Sequence, residues 1–296
     1  MKVQTILVPT DFSDAAERAY EAALTLARSQ EGDARIVLLH VLSLGRTDGW
    51  RLLMETPDDI EAELAREAFA KLEVTRSSRA HEDVEIALRV ASGRIVDTTC
   101  EVAEEEGATL IVCGATNHSR MGAAILGTSA YAIASAGALP TLIVPAEVPR
   151  RFAKILAPID LGEGAHLELE AAKEWADGLG ATLEVAHAVT VPTTGGEAYL
   201  MGLHEIVPAY LESRRERLDE LLSSHGLGDL PKEARHVELG QPHYVIDRLC
   251  RQHDIDLVVI ASRCRDHITS TMLGGTASRV LRRPPAPVLV LPMPPA

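Results

Sequence analysis

The sequence predicts an α/β fold of two tandem, doubly wound units, and three observations predict it. Apolar runs of strand length alternate with amphipathic stretches of helix length along the whole chain, the pattern of strands joined by right-handed crossovers in a largely parallel sheet. A set of landmarks recurs about one domain length apart: Pro9 and Pro158, Asp11 and Asp160, His40 and His187, Gly127 and Gly274, Pro140 and Pro287. With 296 residues, 46% of them hydrophobic, the chain is too long for one ordinary core and long enough for two. The boundary falls after the first proline-bracketed run, giving units at 1–148 and 149–296.

The first unit begins with an apolar strand, Val3 to Val8, ending at Pro9-Thr10-Asp11. Ser13 or Asp14 then caps a helix whose Ala16, Ala19, Tyr20, Ala23, Leu26 and Ala27 form one face. Arg35 to Val41 is a second, buried strand, followed by a polar helix over roughly Asp58 to Arg79. Val84 to Val90 alternates as a third strand, Gly93 begins a helix running to about Glu106, and Thr109 to Cys113 is the fourth strand. Pro140-Thr-Leu-Ile-Val-Pro145 is the last, its prolines suiting an edge. The second unit repeats the order. Ala153 to Ala157 leads to Pro158-Ile159-Asp160, and Ala171, Ala172, Trp175 and Leu179 give the helix face. Leu183 to Val189 carries His187, a helix spans about Glu205 to Ser224, and a third strand ends near Leu239-Gly240. Asp256 to Ala261 and Pro287 to Pro292 complete the set.

Composition narrows the function classes. A net charge of −14 argues against a general nucleic-acid binder or a protein of anionic membrane surfaces, and 3% aromatic residues leave little for stacking platforms. The apolar stretch before Pro9 is too short for a signal peptide, and no later run approaches a membrane span, so a cytoplasmic location is expected. Cys100, Cys113, Cys250 and Cys264 fall in helical or strand-like apolar contexts and read as reduced, structural thiols.

Function concentrates in one stretch, Leu110 to Ser129. An apolar strand ends at Gly114, a polar loop follows, and Gly127-Thr128-Ser129 starts a small-residue helix. Such a layout brings unpaired N–H groups and the positive end of a helix dipole to the carboxyl edge of a sheet, where α/β proteins bind ligands. The same residues also serve plain turn chemistry, glycine for positive φ and Ser/Thr as caps.

With Pro-x-Asp after the first strand, Leu39-His40-Val41 in the second, and Gly114-x2-Asn117-x9-Gly127-Thr128 feeding a helix and a proline-bracketed strand, each half resembles the universal stress protein family. The resemblance covers nearly the whole chain twice. It implies a Rossmann-like, HUP-type sheet of five parallel strands in the order 3-2-1-4-5, with fifth strands pairing across a two-fold axis, here between the halves of one chain. Nucleotide-binding members show Gly-x2-Gly-x9-Gly-Ser/Thr. Carried over, Asp11, following Pro9, would meet the nucleoside, Thr10 and Val41 would offer backbone to the base, and Gly114, Asn117, Gly127, Thr128 and Ser129 would line the phosphates. Asn117 replaces the second glycine; it tolerates the left-handed turn but narrows the approach. In the second half Ala261 and Cys264 replace both loop glycines and Gly275 replaces the Ser/Thr, so bulkier residues are expected to fill that hollow, with Arg263 and Arg265 able to compensate by charge.

The resulting expectation is a stress-response regulator binding ATP, with ADP and AMP as alternatives, mainly in the N-terminal unit. Mg2+ would accompany ATP, because the cradle offers neutral donors and little fixed positive charge. No catalytic residue or metal ligand is assigned. Two other classes stay open: a slow ATP hydrolase using His118, Arg120 or Asp11, and a nucleotide-free interaction module. A homodimer and a protein partner stay open as well. His40 and His187 read as hydrogen-bonded structural histidines, with no acid or nucleophile beside either. Cys250-x2-His253 and Cys264-x2-His267 flank a strand of about seven residues at roughly 3.3 Å each, too far apart for a single zinc site within one domain; only a metal bridging two domains remains.

Overall fold

A computed structural model describes residues 3–29, 34–43, 57–78, 83–115, 127–145, 147–162, 164–191, 197–263 and 273–293. The first half runs β1 (Thr5–Pro9), α1 (Asp14–Ser29), β2 (Arg35–Leu42), α2 (Pro57–Ser77), β3 (Ile86–Ser92), α3 (Ile95–Glu105), β4 (Leu110–Gly114), α4 (Thr128–Ala136) and β5 (Thr141–Val144). The second half repeats it: β6 (Lys154–Pro158), α5 (Ala165–Leu179), β7 (Thr182–Val189), α6 (Glu197–Ser224), β8 (Arg235–Leu239), α7 (Pro242–His253), β9 (Leu257–Arg263), α8 (Gly275–Arg282) and β10 (Val288–Met293).

All ten strands form one sheet in the order β3-β2-β1-β4-β5-β10-β9-β6-β7-β8, parallel within each half. The alternation of buried residues along each strand divides the interior in two. Ile6, Val8, Ile36, Leu38, Leu110 and Val112 lie with α1 and α2 on one face, and Ile155, Val185, Leu257 and Val259 lie with α5 and α6 on the same face of the second half. Leu7, Val37, Leu39, Ile111 and Cys113 lie with α3 and α4 on the other face, as do Leu156, Ala186, Val258 and Ile260 with α7 and α8. Both faces are covered, so the strands read as continuous apolar runs.

β5 is an edge only of its own half. In the whole chain it pairs antiparallel with β10, with Leu142 opposite Leu289, Ile143 opposite Val288 and Thr141 opposite Val290. Leu142 and Leu289 are counterparts in the repeat, each 147 residues from the other, so the pseudo-two-fold axis passes through this pair. The prolines that suit an edge therefore bracket an interior seam. The axis recurs between the helices above: the Tyr131 hydroxyl on α4 lies 3.1 Å from Ser278 Oγ on α8, again a residue and its own counterpart.

Several boundaries shift from the sequence reading by one or two residues, and the start of α6 shifts most. β3 begins at Ile86 rather than Val84, because pairing starts where its partner β2 offers Ile36. α6 begins at Glu197 rather than near Glu205 and runs through Pro208, a residue that ordinarily argues for a helix start or break.

Candidate functional site

The carboxyl ends of β1, β2 and β4 and the start of α4 meet at one edge of the first half. Each predicted residue there except Asn117 has a definable place. Pro9 ends β1, and the buried Thr10 follows it. Thr10 N–H donates to the Leu39 carbonyl at 2.8 Å, and the Thr10 carbonyl accepts from His40 Nδ1–H at 2.8 Å. The Thr10 amide is thus consumed by the sheet, and the second lone pair of its carbonyl is what the backbone leaves for a base. Phe12 takes a left-handed φ of 63°, unusual for a bulky residue, and its ring lies 4.5 Å from that of His40. This sharp turn aims Ser13 N–H at Asp11 Oδ1, 3.0 Å away. Asp11 accordingly closes a turn, and Ser13 caps α1 by accepting from Ala16 N–H at 3.3 Å.

The second half builds the same corner from different residues. Leu161 is left-handed at φ 54°, Asp160 Oδ1 accepts from Gly162 N–H at 2.7 Å, and His187 Nδ1–H donates to the Ile159 carbonyl at 2.9 Å. Burial pushes the His187 pKa below its ordinary value, so the ring is neutral at pH 7. His40 and His187 therefore brace the residue before each aspartate. No sequence signal marks Phe12 or Leu161, because neither residue type prefers that conformation.

Val41 lies in β2, and Gly114 ends β4. A Cβ on Gly114 would sit 1.9 Å from the Ala15 carbonyl oxygen, so the missing side chain admits the first turn of α1. Ala261 is tolerated at the matching place, where α5 starts five residues after Asp160 while α1 starts three after Asp11. Arg18, which the sequence gives no reason to select, fixes the same region: its Nε donates to the Pro145 carbonyl at 3.0 Å and its Nη2 to the Ala115 carbonyl at 3.1 Å. Its counterpart is Leu167.

Gly127 caps α4 with extended backbone (φ −65°, ψ 153°) and no side-chain hydrogen bond; Thr128 and Ser129 are exposed in the first turn. Gly274 caps α8 in the same manner (φ −52°, ψ 151°). Unlike α1, both helices thus begin without a side-chain cap among the described residues, leaving first-turn N–H groups for a ligand. Asn117, His118 and Arg120 lie outside the described residues, as do Cys264, Arg265 and His267.

The space these elements enclose is defined in the second half. A cavity of about 680 Å3 opens there, lined among others by Pro158, Ile159, Asp160, Ala188, Ala261 and the run Gly274-Gly275-Thr276. In repeat order these are the counterparts of Pro9, Thr10, Asp11, Val41, Gly114 and Gly127-Thr128-Ser129. Eight of the nine residues selected in the first half therefore have a partner lining one hollow. A Cβ on Gly274 or Gly275 would meet nothing within 4 Å. Among the described lining residues, Ala261 adds one methyl to the glycine it replaces and Gly275 is smaller than the Ser/Thr it replaces; Cys264, the other residue expected to fill this hollow, lies outside the described residues.

A model of the universal stress protein family matches residues 2–145 and again 151–292. The chain belongs to the universal stress protein family. A curated relative, universal stress protein YxiE of Bacillus subtilis (strain 168), is 27% identical over 143 residues, 47% of this chain and 97% of the relative. Two solved structures share the fold over the full length. A putative universal stress protein from Pseudomonas aeruginosa UCBPP-PA14 is 22% identical with a TM-score of 0.65, covering 98% of this chain and 93% of its own. A universal stress protein from Archaeoglobus fulgidus DSM 4304 is 20% identical with a TM-score of 0.64, covering 99% of each chain. Among the described residues of this universal stress protein, no helix is long and apolar enough to cross a membrane.

Burial pushes Cys113 and Cys250 up to about 12, which keeps both protonated.

Proposed function

We propose that this universal stress protein is an adenine-nucleotide binder that uses occupancy, rather than chemistry, as its output. The observation that carries this reading is the correspondence between the residues of the Gly114–Ser129 motif and the lining of the C-terminal cavity. A hollow of about 680 Å3 at a strand carboxyl edge is within the ordinary range for small-ligand sites, about 300–1,000 Å3. Asp11 is suited to accept from ribose hydroxyls, the Thr10 carbonyl and Val41 to border the base, and the uncapped first turn of α4 to receive phosphate oxygens. Gly127, Thr128 and Ser129 offer backbone and hydroxyl donors without a cation, which suits a Mg2+-bound triphosphate. The N-terminal half is proposed as the principal site, because Thr128 and Ser129 supply hydroxyls where the C-terminal half has Gly275 and Thr276.

The test is direct. Protein purified without added nucleotide is denatured, and released small molecules are identified by mass spectrometry; the melting temperature is then followed with MgATP, MgADP and AMP. An adenine nucleotide in the supernatant, or saturable stabilisation approaching about 2.7 kcal/mol at a hundred times Kd, is the expected result. A protein that releases none and whose melting temperature ignores all three is an interaction module instead.

A further inference from the structure

Away from the carboxyl edge, three metal-ligating side chains of the C-terminal half converge. Glu184 lies near the start of β7, His236 near the start of β8, and His253 is the last residue of α7. Glu184 Oε2 is 2.8 Å from His236 Nε2 and 3.0 Å from His253 Nδ1, and one ligand atom from each residue lies within 4.8 Å of the other two. The imidazole rings meet edge to face, with centroids 4.7 Å apart. Glu184 and His236 are 13% and 9% exposed and His253 is 30% exposed, so the cluster is largely withdrawn from water but reachable from one side.

The geometry points to a binding site for a divalent transition-metal ion of the zinc type, held by Glu184, His236 and His253. Two imidazoles and a carboxylate are a ligand set that suits Zn2+, with water in the fourth position. Tetrahedral bonds of about 2.0–2.1 Å put ligand atoms roughly 3.3 Å apart, so the two Glu–His distances need widen by only a few tenths of an ångström. Each neutral ring has only to carry its proton on the other nitrogen to turn a lone pair toward the ion. The backbone already fixes the donors. Asp254, left-handed at φ 51°, ends α7 with its N–H on the Cys250 carbonyl, and Lys154 Nζ holds the His253 carbonyl at 2.9 Å. The carboxyl end of α7 also presents the negative pole of its dipole to a cation.

The first half shows what the same place looks like without such a set. The counterparts of Glu184, His236 and His253 in the repeat are Val37, Arg89 and Glu106. There Arg89 lies 2.6 Å from Glu105 Oε2 and 3.3 Å from Glu106 Oε1, and Arg35 Nη2 lies 3.1 Å from Glu106 Oε2, so two cations meet two carboxylates. The second half exchanges that arginine and glutamate for two histidines and adds a carboxylate. Cys250 is one turn before His253, yet its thiol is not among the convergent atoms; the partners of His253 come from β7 and β8.

Full-length, untagged protein is dialysed at neutral pH against Zn2+ alone, and bound metal is counted by elemental analysis. The wild type and His225→Ala, which alters a histidine elsewhere, are expected to retain one Zn2+ per chain. His236→Asn and Glu184→Gln are expected to bind at least about 100-fold more weakly, since even outer-shell losses cost 10–100-fold. Co2+ in place of Zn2+ gives a tetrahedral visible spectrum that both variants lose. Glu184→Gln keeps the shape of the side chain, so it decides the matter should His236→Asn fold poorly. On Zn2+ addition, amide exchange slows in β7, β8 and the end of α7 but not in β2, β3 and α3. Wild type that retains no Zn2+, or variants that retain it undiminished, overturn the assignment.

Discussion

The two halves of this universal stress protein share a fold, an axis and a corner, and they differ in what each corner is asked to do. Both fix a strand-end aspartate with a left-handed residue and brace it with a histidine, Phe12 and His40 in one, Leu161 and His187 in the other. The first half then draws its structure tight. Gly114 lets the backbone of α1 press on the end of β4, and Arg18 ties the exits of β4 and β5 together. The second half relaxes both devices, with Ala261 and Leu167 in those places, and α5 starts later. A duplicated unit can thus keep its sheet while the first copy retains the close-packed loop base and the second keeps an open hollow.

Substitutions that exchange these features measure how deep the difference runs. The largest effect is expected at Gly114. Gly114→Ala drives a methyl into the Ala15 carbonyl and should destabilise by about 3 kcal/mol, whereas Ala261→Gly should cost only about 0.5–1 kcal/mol, both read as shifts in the urea midpoint. Equal costs would mean that the two corners are packed alike. Next comes Arg18→Met, which strips charged donors from two carbonyls and should cost about 1.5–3 kcal/mol by the same measurement. Leu167→Met, at its counterpart, should be nearly silent.

A smaller effect is expected on the axis. Tyr131→Phe removes the hydroxyl facing Ser278 Oγ and should cost about 1 kcal/mol, and a double-mutant cycle with Ser278→Ala should show the two losses to be one interaction. Strict additivity in that cycle would deny the contact. The smallest concerns acid. Because burial lowers the folded-state pKa of His187 below the ordinary 6.5, the unfolded chain takes up that proton first as pH falls. The stability of neutral His187 is therefore present above about pH 6.5 and lost progressively below it. Melting temperatures recorded down that range should fall less steeply for His187→Asn than for wild type; parallel curves would remove His187 from the acid response.

Much of this was legible in the chain because its punctuation is chemical. Pro-x-Asp, the strand histidines and the Gly-Thr-Ser helix start are residues whose backbone or hydrogen-bonding needs are specific, so their recurrence marks the tandem repeat, and the order 3-2-1-4-5 of each half, which the resemblance to the family implies, is the order observed. Features set by distant parts of the chain were not legible. Nothing local distinguishes a glycine needed by a passing helix from one needed by a phosphate, and Gly114 looks the same either way. Arg18 finds its acceptors 97 and 127 residues later. The β3 boundary belongs to β2, and the cluster of Glu184, His236 and His253 is assembled by sheet order, so that in sequence only His253 stands out, beside the wrong neighbour.

The central claim is that uncapped helix starts at the strand carboxyl edge hold an adenine nucleotide, chiefly in the first half. Gly127 and Gly274 both have extended backbone that valine adopts without strain, so Gly127→Val and Gly274→Val block one helix start at a time, with an unchanged far-UV circular dichroism spectrum as the check on folding. Calorimetric titration of wild type and the two variants with MgATP tests the claim most directly. The account predicts that Gly127→Val loses the tightest site and Gly274→Val keeps it. Retention by Gly127→Val together with loss in Gly274→Val would contradict it.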